Sequence, residues 1–371
     1  MGPPTSAAPS HAKMSLVTQP TPDRRRLAID VQLPSDRTGG LDIAARRARE
    51  MAATGVDGLF TFEGPHDVFF PLVAACAGGP PLGLDLMTNV AMAFPRSPMH
   101  MANAAYDLQL MSQGRFRLGL GTQIRPHIER RYSATWSRPV ARMREIVLAI
   151  KAILEHWQER TPLRFEGEYT RHTLSTPAFD PGPNPEGIAP ILVGALGPRM
   201  NEMAAEVADG ILVMPFNSGR HFRERTMPAI ERGLATSGRS ADEFEIVVEA
   251  IMAVGETDEQ LAAASKGVRG LLSFYGSTPS YKPVLDVEGW GDVQPELNAM
   301  SKRGEWANMP ELITDRMVET ISIFGTPAQA AKELVQRFGE HAQRACLYFP
   351  GYEMSDERLA RLVDEIRRAV G

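Results

Sequence analysis

An α/β protein of the (β/α)8 TIM barrel class, with a helical insertion before its last helix–strand pair, is the fold this sequence predicts. Three observations carry the expectation. Eight strand-like runs alternate with helical runs. The alternation breaks once, over about 257–325, where the chain turns helical and aromatic. No Gly-x-Gly-x-x-Gly turn follows the first strand, which weighs against the competing doubly wound open sheet.

The elements follow in order. Pro, Ser, Ala and Thr dominate residues 1–24, predicting a disordered tail; residues 25–371 form the barrel domain. Leu27 to Leu33 is the first strand, and Leu41 to Ala53 a helix stopped by Gly55. Val56 to Glu63 is the second strand, entering the loop Gly64-Pro65-His66-Asp67, and Phe70 to Ala77 its helix. Leu84 to Ala91 is the third strand, followed by a helix from Pro98 to Met111. In the fourth strand, Phe116, Leu118 and Leu120 alternate with smaller or polar residues. Gly119 and Gly121 near its end would let a ligand approach the backbone. Pro139 to His156 is a helix with apolar residues at helical spacing. A polar connection, 159–189, leads to the strand Pro190 to Ala195 and the helix Pro198 to Val207. The strand Ile211 to Met214, the helix His221 to Ser237 and the strand Phe244 to Val254 come next. After the insertion, Pro327 to Phe338 is helical, Arg344 to Phe349 the eighth strand and Asp356 to Val370 the closing helix.

Composition narrows the function. Hydrophobic residues make up 43% of the chain, enough for a large core, and the net charge of −5 opposes general nucleic-acid binding. Cys76 and Cys346, the only cysteines, supply neither a disulfide framework nor a cysteine zinc site, and both fall in runs that bury them. No apolar run reaches the roughly 18–20 residues of a membrane span. A cytoplasmic protein is the expectation. The histidines show no metal-ligand spacing, so no metal site is expected.

Barrel function gathers at the carboxyl ends of the strands. Two stretches there suit an anionic ligand. Ala195-Leu196-Gly197-Pro198-Arg199-Met200 crosses from a strand into a helix start, where free amides and the helix dipole favour phosphate; an ordinary β–α turn is the alternative. Asn217-Ser218-Gly219 adds donors after the sixth strand. The segment 125–144 carries Arg125, Arg130, Arg131, Arg138, Arg142 and Arg144, suited to a polyanionic tail or equally to a solvated face or subunit contact. His66 is the candidate proton donor, with Glu63 or Asp67 to orient it. His127, past Gly121-Thr122, competes for that role.

These residues resemble a family. Leu86-Met87-Thr88-Asn89-Val90, the run Gly114 to Thr122, Arg142-Met143-Arg144-Glu145, Gly197-Pro198 and Ala208-Asp209-Gly210 resemble the luciferase-like oxidoreductases, in their coenzyme F420-dependent branch. Trp136 to Pro139 and Phe274 to Pro279 resemble one F420-dependent subgroup. The resemblance covers roughly residues 27–350. It implies a homodimeric barrel with a tricyclic ring across its mouth, transferring a hydride between the deazaflavin and a small organic substrate. It implies a non-prolyl cis peptide at Asn89–Val90 behind the ring, ring and ribityl contacts at Gly121, Thr122 and His127, and phosphate contacts at Gly194, Ala195, Leu196, Gly197 and Met200. Arg125 and Arg131 would meet the anionic tail. The order His66-Asp67, displaced by Gly64-Pro65, departs from the family's sugar-phosphate dehydrogenases, as does Gln123-Ile124 where they carry a glutamate. An FMN-dependent monooxygenase of the same fold is the alternative, and a non-catalytic ligand-binding barrel the second.

Overall fold

The computed structural model describes residues 27–33, 40–77 and 82–371. The expected tail, 1–24, lies outside them. Eight parallel strands form the barrel: β1 (Ala28–Gln32), β2 (Gly58–Thr61), β3 (Asp85–Thr88), β4 (Phe116–Gly121), β5 (Ile191–Ala195), β6 (Gly210–Val213), β7 (Glu245–Val254) and β8 (Arg344–Tyr348). Each pairs with the next, and β8 pairs back with β1, so the eight strands close into a barrel.

Period-two alternation divides the barrel's apolar residues between two regions. Outward residues such as Ile29, Val31, Leu118, Leu120, Ile191, Val193 and Val248 pack against the surrounding helices in the main core. Inward residues Phe60, Met87, Leu192, Leu212, Val247 and Cys346 fill the middle of the lumen, with Val90 above them. The lower end of the lumen is charged. Arg344, 4% exposed, ion-pairs with Asp30, Asp85 and Glu245, while Arg117 reaches Asp85 at 3.1 Å and Glu245 at 2.9 Å. Burial outweighs the Arg344 charge at Asp30 and raises its carboxyl to about 6.

The insertion has a core of its own. Helices Asp258–Gly276, Lys282–Val287, Val293–Arg303 and Asp315–Ile321 pack Val268, Leu272, Leu285, Leu297 and Val318 against Phe216 and Ile251. A short strand, Ile323–Gly325, then extends the sheet beside Met252–Val254 of β7. The helix Pro327–Phe338 starts with a capping box between Thr326 and Gln329.

Several elements differ from the sequence expectation, each for a local reason. The fourth helix runs to Glu159, three residues beyond His156, and stops where Arg160 turns left-handed at φ 57°. The connection after it contains an antiparallel pair, Phe165–Glu166 with Arg171–His172, held because Glu145 accepts the amides of Glu168, Tyr169 and Thr170 at 2.6–2.7 Å. The helix expected from His221 to Ser237 is interrupted by a π-type turn at Phe222–Thr226. The basic segment after β4 also contains a π-type turn, His127–Arg131. Cys76 and Cys346 are free thiols; burial raises Cys76 to about 11 and holds Cys346 well above the usual thiol range, so both are unreactive packing residues.

Candidate active site

The top of the lumen is organised by a break in β3. Its ladder with β4 ends at Met87, and after a cis peptide at Asn89–Val90 the chain pairs again at Ala91–Met92 with Leu120 and Gly121. Thr88 bridges the gap. Its hydroxyl donates to the Gly119 carbonyl at 2.8 Å and accepts from the Gly119 amide at 2.9 Å. The glycines of β4 serve this break. A Cβ on Gly119 would lie 1.9 Å from the Thr88 carbonyl oxygen, and one on Gly121 would lie 2.4 Å from Val90 Cγ2. On the other side, a Cβ on Gly194 would meet Val90 Cγ1 at 3.0 Å. Val90 is thus wedged into the lumen between two strands that lack side chains at its level. Thr88→Val removes the bridging hydroxyl at constant shape and strands two buried backbone groups. A loss of about 1–3 kcal/mol in chemical denaturation is the expected result, and wild-type stability would show that the hydroxyl bridge is dispensable.

Glu63 holds the far side of the break. Its carboxylate accepts from the Met92 amide at 2.7 Å, from Arg96 at 2.5 Å and from the Tyr132 hydroxyl at 3.1 Å. Asp67 accepts from Arg96 at 3.1 Å and from the Phe69 amide at 2.8 Å. Neither carboxylate bonds to His66, which is exposed at the rim and makes no hydrogen bond among the described residues. The expected orientation of His66 by Glu63 or Asp67 is therefore absent: both acids are committed to the frame that Arg96 ties together.

The anion-binding features separate in the same way. Gly197 begins the helix Pro198–Val207 with no side chain capping it, and a Cβ there would stand in open space. The first-turn amides thus face no competing side chain. Ala195 ends β5, Leu196 accepts from the Asn201 amide at 3.2 Å, and Met200 lies in the first helical turn. Ser218 is not a free donor, because its hydroxyl goes to Glu288 at 2.5 Å; the Asn217 amide nitrogen is buried without a partner. Among the arginines, Arg125, Arg138 and Arg144 ion-pair with Glu129, Glu168 and Glu206. Arg131 donates to the Gly64 carbonyl and lies over Tyr132, and Arg142 donates to the Thr135 carbonyl and lies over Phe94. Thr122 and His127 lie just beyond the lumen on the Gly121 side, both half-buried.

A residue passed over in the sequence stands at the centre. Glu249, in mid-β7 beside Cys346 of β8, points into the lumen at the level of the β3 break. Its neighbours are Asn89, Tyr275, Tyr281 and Tyr348. No hydrogen bond within normal geometry and no ion pair to a described residue engages its carboxyl, and burial raises it to about 8, opposed only by the Asn89 amide nearby. Both polar atoms of the Asn89 side chain are themselves buried without a hydrogen-bond partner. Burial first, then the Glu249 charge, raises the phenols of Tyr275, Tyr281 and Tyr348. The signal was present: Glu245 and Glu249 are the two acids of a strand otherwise apolar, four residues apart and so on one face. Glu245 meets Arg117 and Arg344, whereas Glu249 meets no cation among the described residues.

Among the described residues no group of acidic, histidine or cysteine side chains could hold a metal ion, and no helix is long and apolar enough to cross a membrane. The family profile for luciferase-like monooxygenases matches residues 27–342. An uncharacterised protein of Mycobacterium tuberculosis (strain ATCC 25618 / H37Rv) is 46% identical over 81% of this chain and 87% of its own length. The 5,10-methylenetetrahydromethanopterin reductase of Archaeoglobus fulgidus is 32% identical over 69% of this chain and 73% of its own. In structure, the coenzyme F420-dependent tetrahydromethanopterin reductase of Methanopyrus kandleri superposes with a TM-score of 0.74 at 18% identity, over 92% of this chain and 98% of that one. The oxygenating constituent of 3,6-diketocamphane monooxygenase from Pseudomonas putida, in complex with FMN, does so at 0.64 and 14%, over 93% and 98%. The closed barrel and the match across nearly the whole described chain lead to one assignment: this chain belongs to the luciferase-like monooxygenase family.

Proposed function

We propose that the protein is an F420-dependent oxidoreductase that moves a hydride between the deazaflavin and a small organic substrate. The observation that carries this reading is the wedge at the lumen mouth, where Val90 and the unpartnered Asn89 amide present one apolar and one polar contact at the same level. A flat heteroaromatic ring edged with hydrogen-bonding groups matches that pair. Relatives named for F420, including F420-dependent glucose-6-phosphate dehydrogenases, and the F420-dependent reductase of Methanopyrus kandleri among the structural neighbours support deazaflavin over FMN. When bound, the cofactor would supply the hydride chemistry, and the protein binding, orientation and proton handling. Thr122 and His127 would flank the ring, Gly121 would back it through Val90, and the turn Gly194 to Met200 would take the phosphate. Arg131 at the mouth and Arg125 beside it would lie along the tail, although Arg125 must exchange its Glu129 partner to do so. Residues 25–371 would act as one unit, as a homodimer in the cytoplasm.

Titration with oxidised and reduced F420 and with FMN tests this reading. Tighter binding of F420 is the expected result, and binding of FMN alone favours the monooxygenase alternative, which the FMN-bound structural neighbour represents. Gly197→Asp places a carboxylate at the uncapped helix start, where there is room for it. The fold should survive. The carboxylate satisfies the amides and repels phosphate, so affinity should drop at least tenfold, on the scale of charge effects at helix starts of about 1–2 kcal/mol. Unchanged affinity would remove this turn from the cofactor site.

A further inference from the structure

The geometry points to Glu249 as the residue that carries the reaction's proton, and to a substrate whose reacting group is an uncharged carbonyl or imine rather than a phosphorylated or carboxylated one. This rests on the reading of the protein as an F420-dependent oxidoreductase. Glu249 projects from β7 into the top of the lumen, level with the Asn89–Val90 break that would back a ring. The groups that face it are Asn89 from β3, Cys346 and Tyr348 from β8, and Tyr275 and Tyr281 from the insertion. All of these are neutral at pH 7, and among the described residues no lysine, arginine or histidine approaches the carboxyl. An anionic substrate would have no counter-charge there. A neutral acceptor would meet a carboxylic acid and three phenols able to donate hydrogen bonds.

His66, by contrast, stands exposed at the rim without an orienting partner. In the reductive direction, the Glu249 carboxyl would give its proton to the carbonyl oxygen or imine nitrogen as the adjacent carbon gains a hydride. The π bond would break, one C–H and one O–H or N–H bond would form, and Glu249 would be left as a carboxylate. A bound reduced deazaflavin would supply the hydride and its two electrons, and solvent would reprotonate Glu249 after product leaves. A carboxyl raised to about 8 holds its proton at neutral pH and loses it as pH rises through that value.

The test uses full-length protein with and without bound oxidised F420. Infrared difference spectra of wild type against Glu249→Gln should show a protonated carboxyl band in the wild type at pH 6–7 that fades near pH 8. The folded-state value is raised from 4.5, so the Glu249 contribution to stability is full below 4.5 and lost by about pH 8; the wild type should lose thermal stability between those values and Glu249→Gln should not. With reduced F420 and a panel of ketones, aldehydes, enones and imines, Glu249→Gln should lower turnover about 10²–10⁴-fold while F420 affinity changes less than threefold. His66→Ala should leave turnover within a few-fold. An ionised carboxyl at pH 6, equal turnover in Glu249→Gln, or no reduction of any panel member by the wild type overturns the inference. Failure of the wild type to bind F420 overturns the functional reading as well, which separates the two failures.

Discussion

Arg344→Met is expected to destabilise the protein by about 3–5 kcal/mol, because it leaves buried carboxylates facing one another without their main counter-charge. Arg344 is the hub of the lower lumen. It ion-pairs with Asp30 and Asp85 and lies 3.4 Å from Glu245, with Arg117 sharing the latter two acids. Asp30 is 1% exposed and has no ion-pair partner other than Arg344 among the described residues. Its carboxyl is already raised to about 6, so the native state binds this proton more tightly than the unfolded chain does. The stabilising contribution of that proton is therefore full at low pH and lost as pH rises through about 6. Without Arg344 the carboxyl rises further, and the gap between variant and wild type should be narrower at pH 5 than at pH 8. The double change Arg344→Met with Asp30→Leu should recover part of the loss, since an apolar pair does not need its partner's charge. Denaturation midpoints at both pH values provide the measurement. A gap that is the same at pH 5 and pH 8, with no recovery in the double variant, would mean that Arg344 acts by packing alone.

The barrel was legible because its periodicities are local. Ile29 and Val31, or Leu118 and Leu120, declare a buried strand face without knowledge of the partner strand. The break at Asn89–Val90 was legible only through family resemblance, since nothing in Thr-Asn-Val by itself demands it. What the sequence hid is pairing across the fold. Six arginines in twenty residues suited one anion-binding surface and, equally, a solvated face or subunit contact. In the structure three have acidic partners, one of them as distant in sequence as Glu206, and two more are held by carbonyls. Glu63 looked like a companion for His66, but Arg96, from the loop after β3, takes it. Charges inside strands were the missed signal. Asp30, Arg117, Glu245, Glu249 and Arg344 all interrupt apolar runs at inward positions, and only the closed barrel shows that four of them neutralise one another while Glu249 stands apart.

Glycine was also misread, and the correction yields the second large effect. Gly119 and Gly121 were expected to admit a ligand to the backbone, but they make room for Thr88 and Val90. Gly121→Ala is therefore expected to act on the cofactor through Val90. The new methyl would overlap Val90 Cγ2, 2.4 Å away, and Gly194 on the opposite side leaves Cγ1 only 3.0 Å from where a Cβ would stand. The valine can yield only upward, into the space proposed for the ring. Cofactor affinity should fall at least a hundredfold, equivalent to about 2.7 kcal/mol. The barrel, whose β3–β4 contacts below Thr88 are untouched, should lose only the 1–3 kcal/mol typical of overpacking. Val90→Ala removes both methyls, so Gly121→Ala combined with Val90→Ala should regain much of the affinity, and the size of that recovery measures the coupling between the two positions. Isothermal titration of F420 into the four proteins of this cycle is the measurement. Additive losses, with the double variant weaker than either single one, would show that Gly121 meets the cofactor directly and that the wedge is not the intermediary.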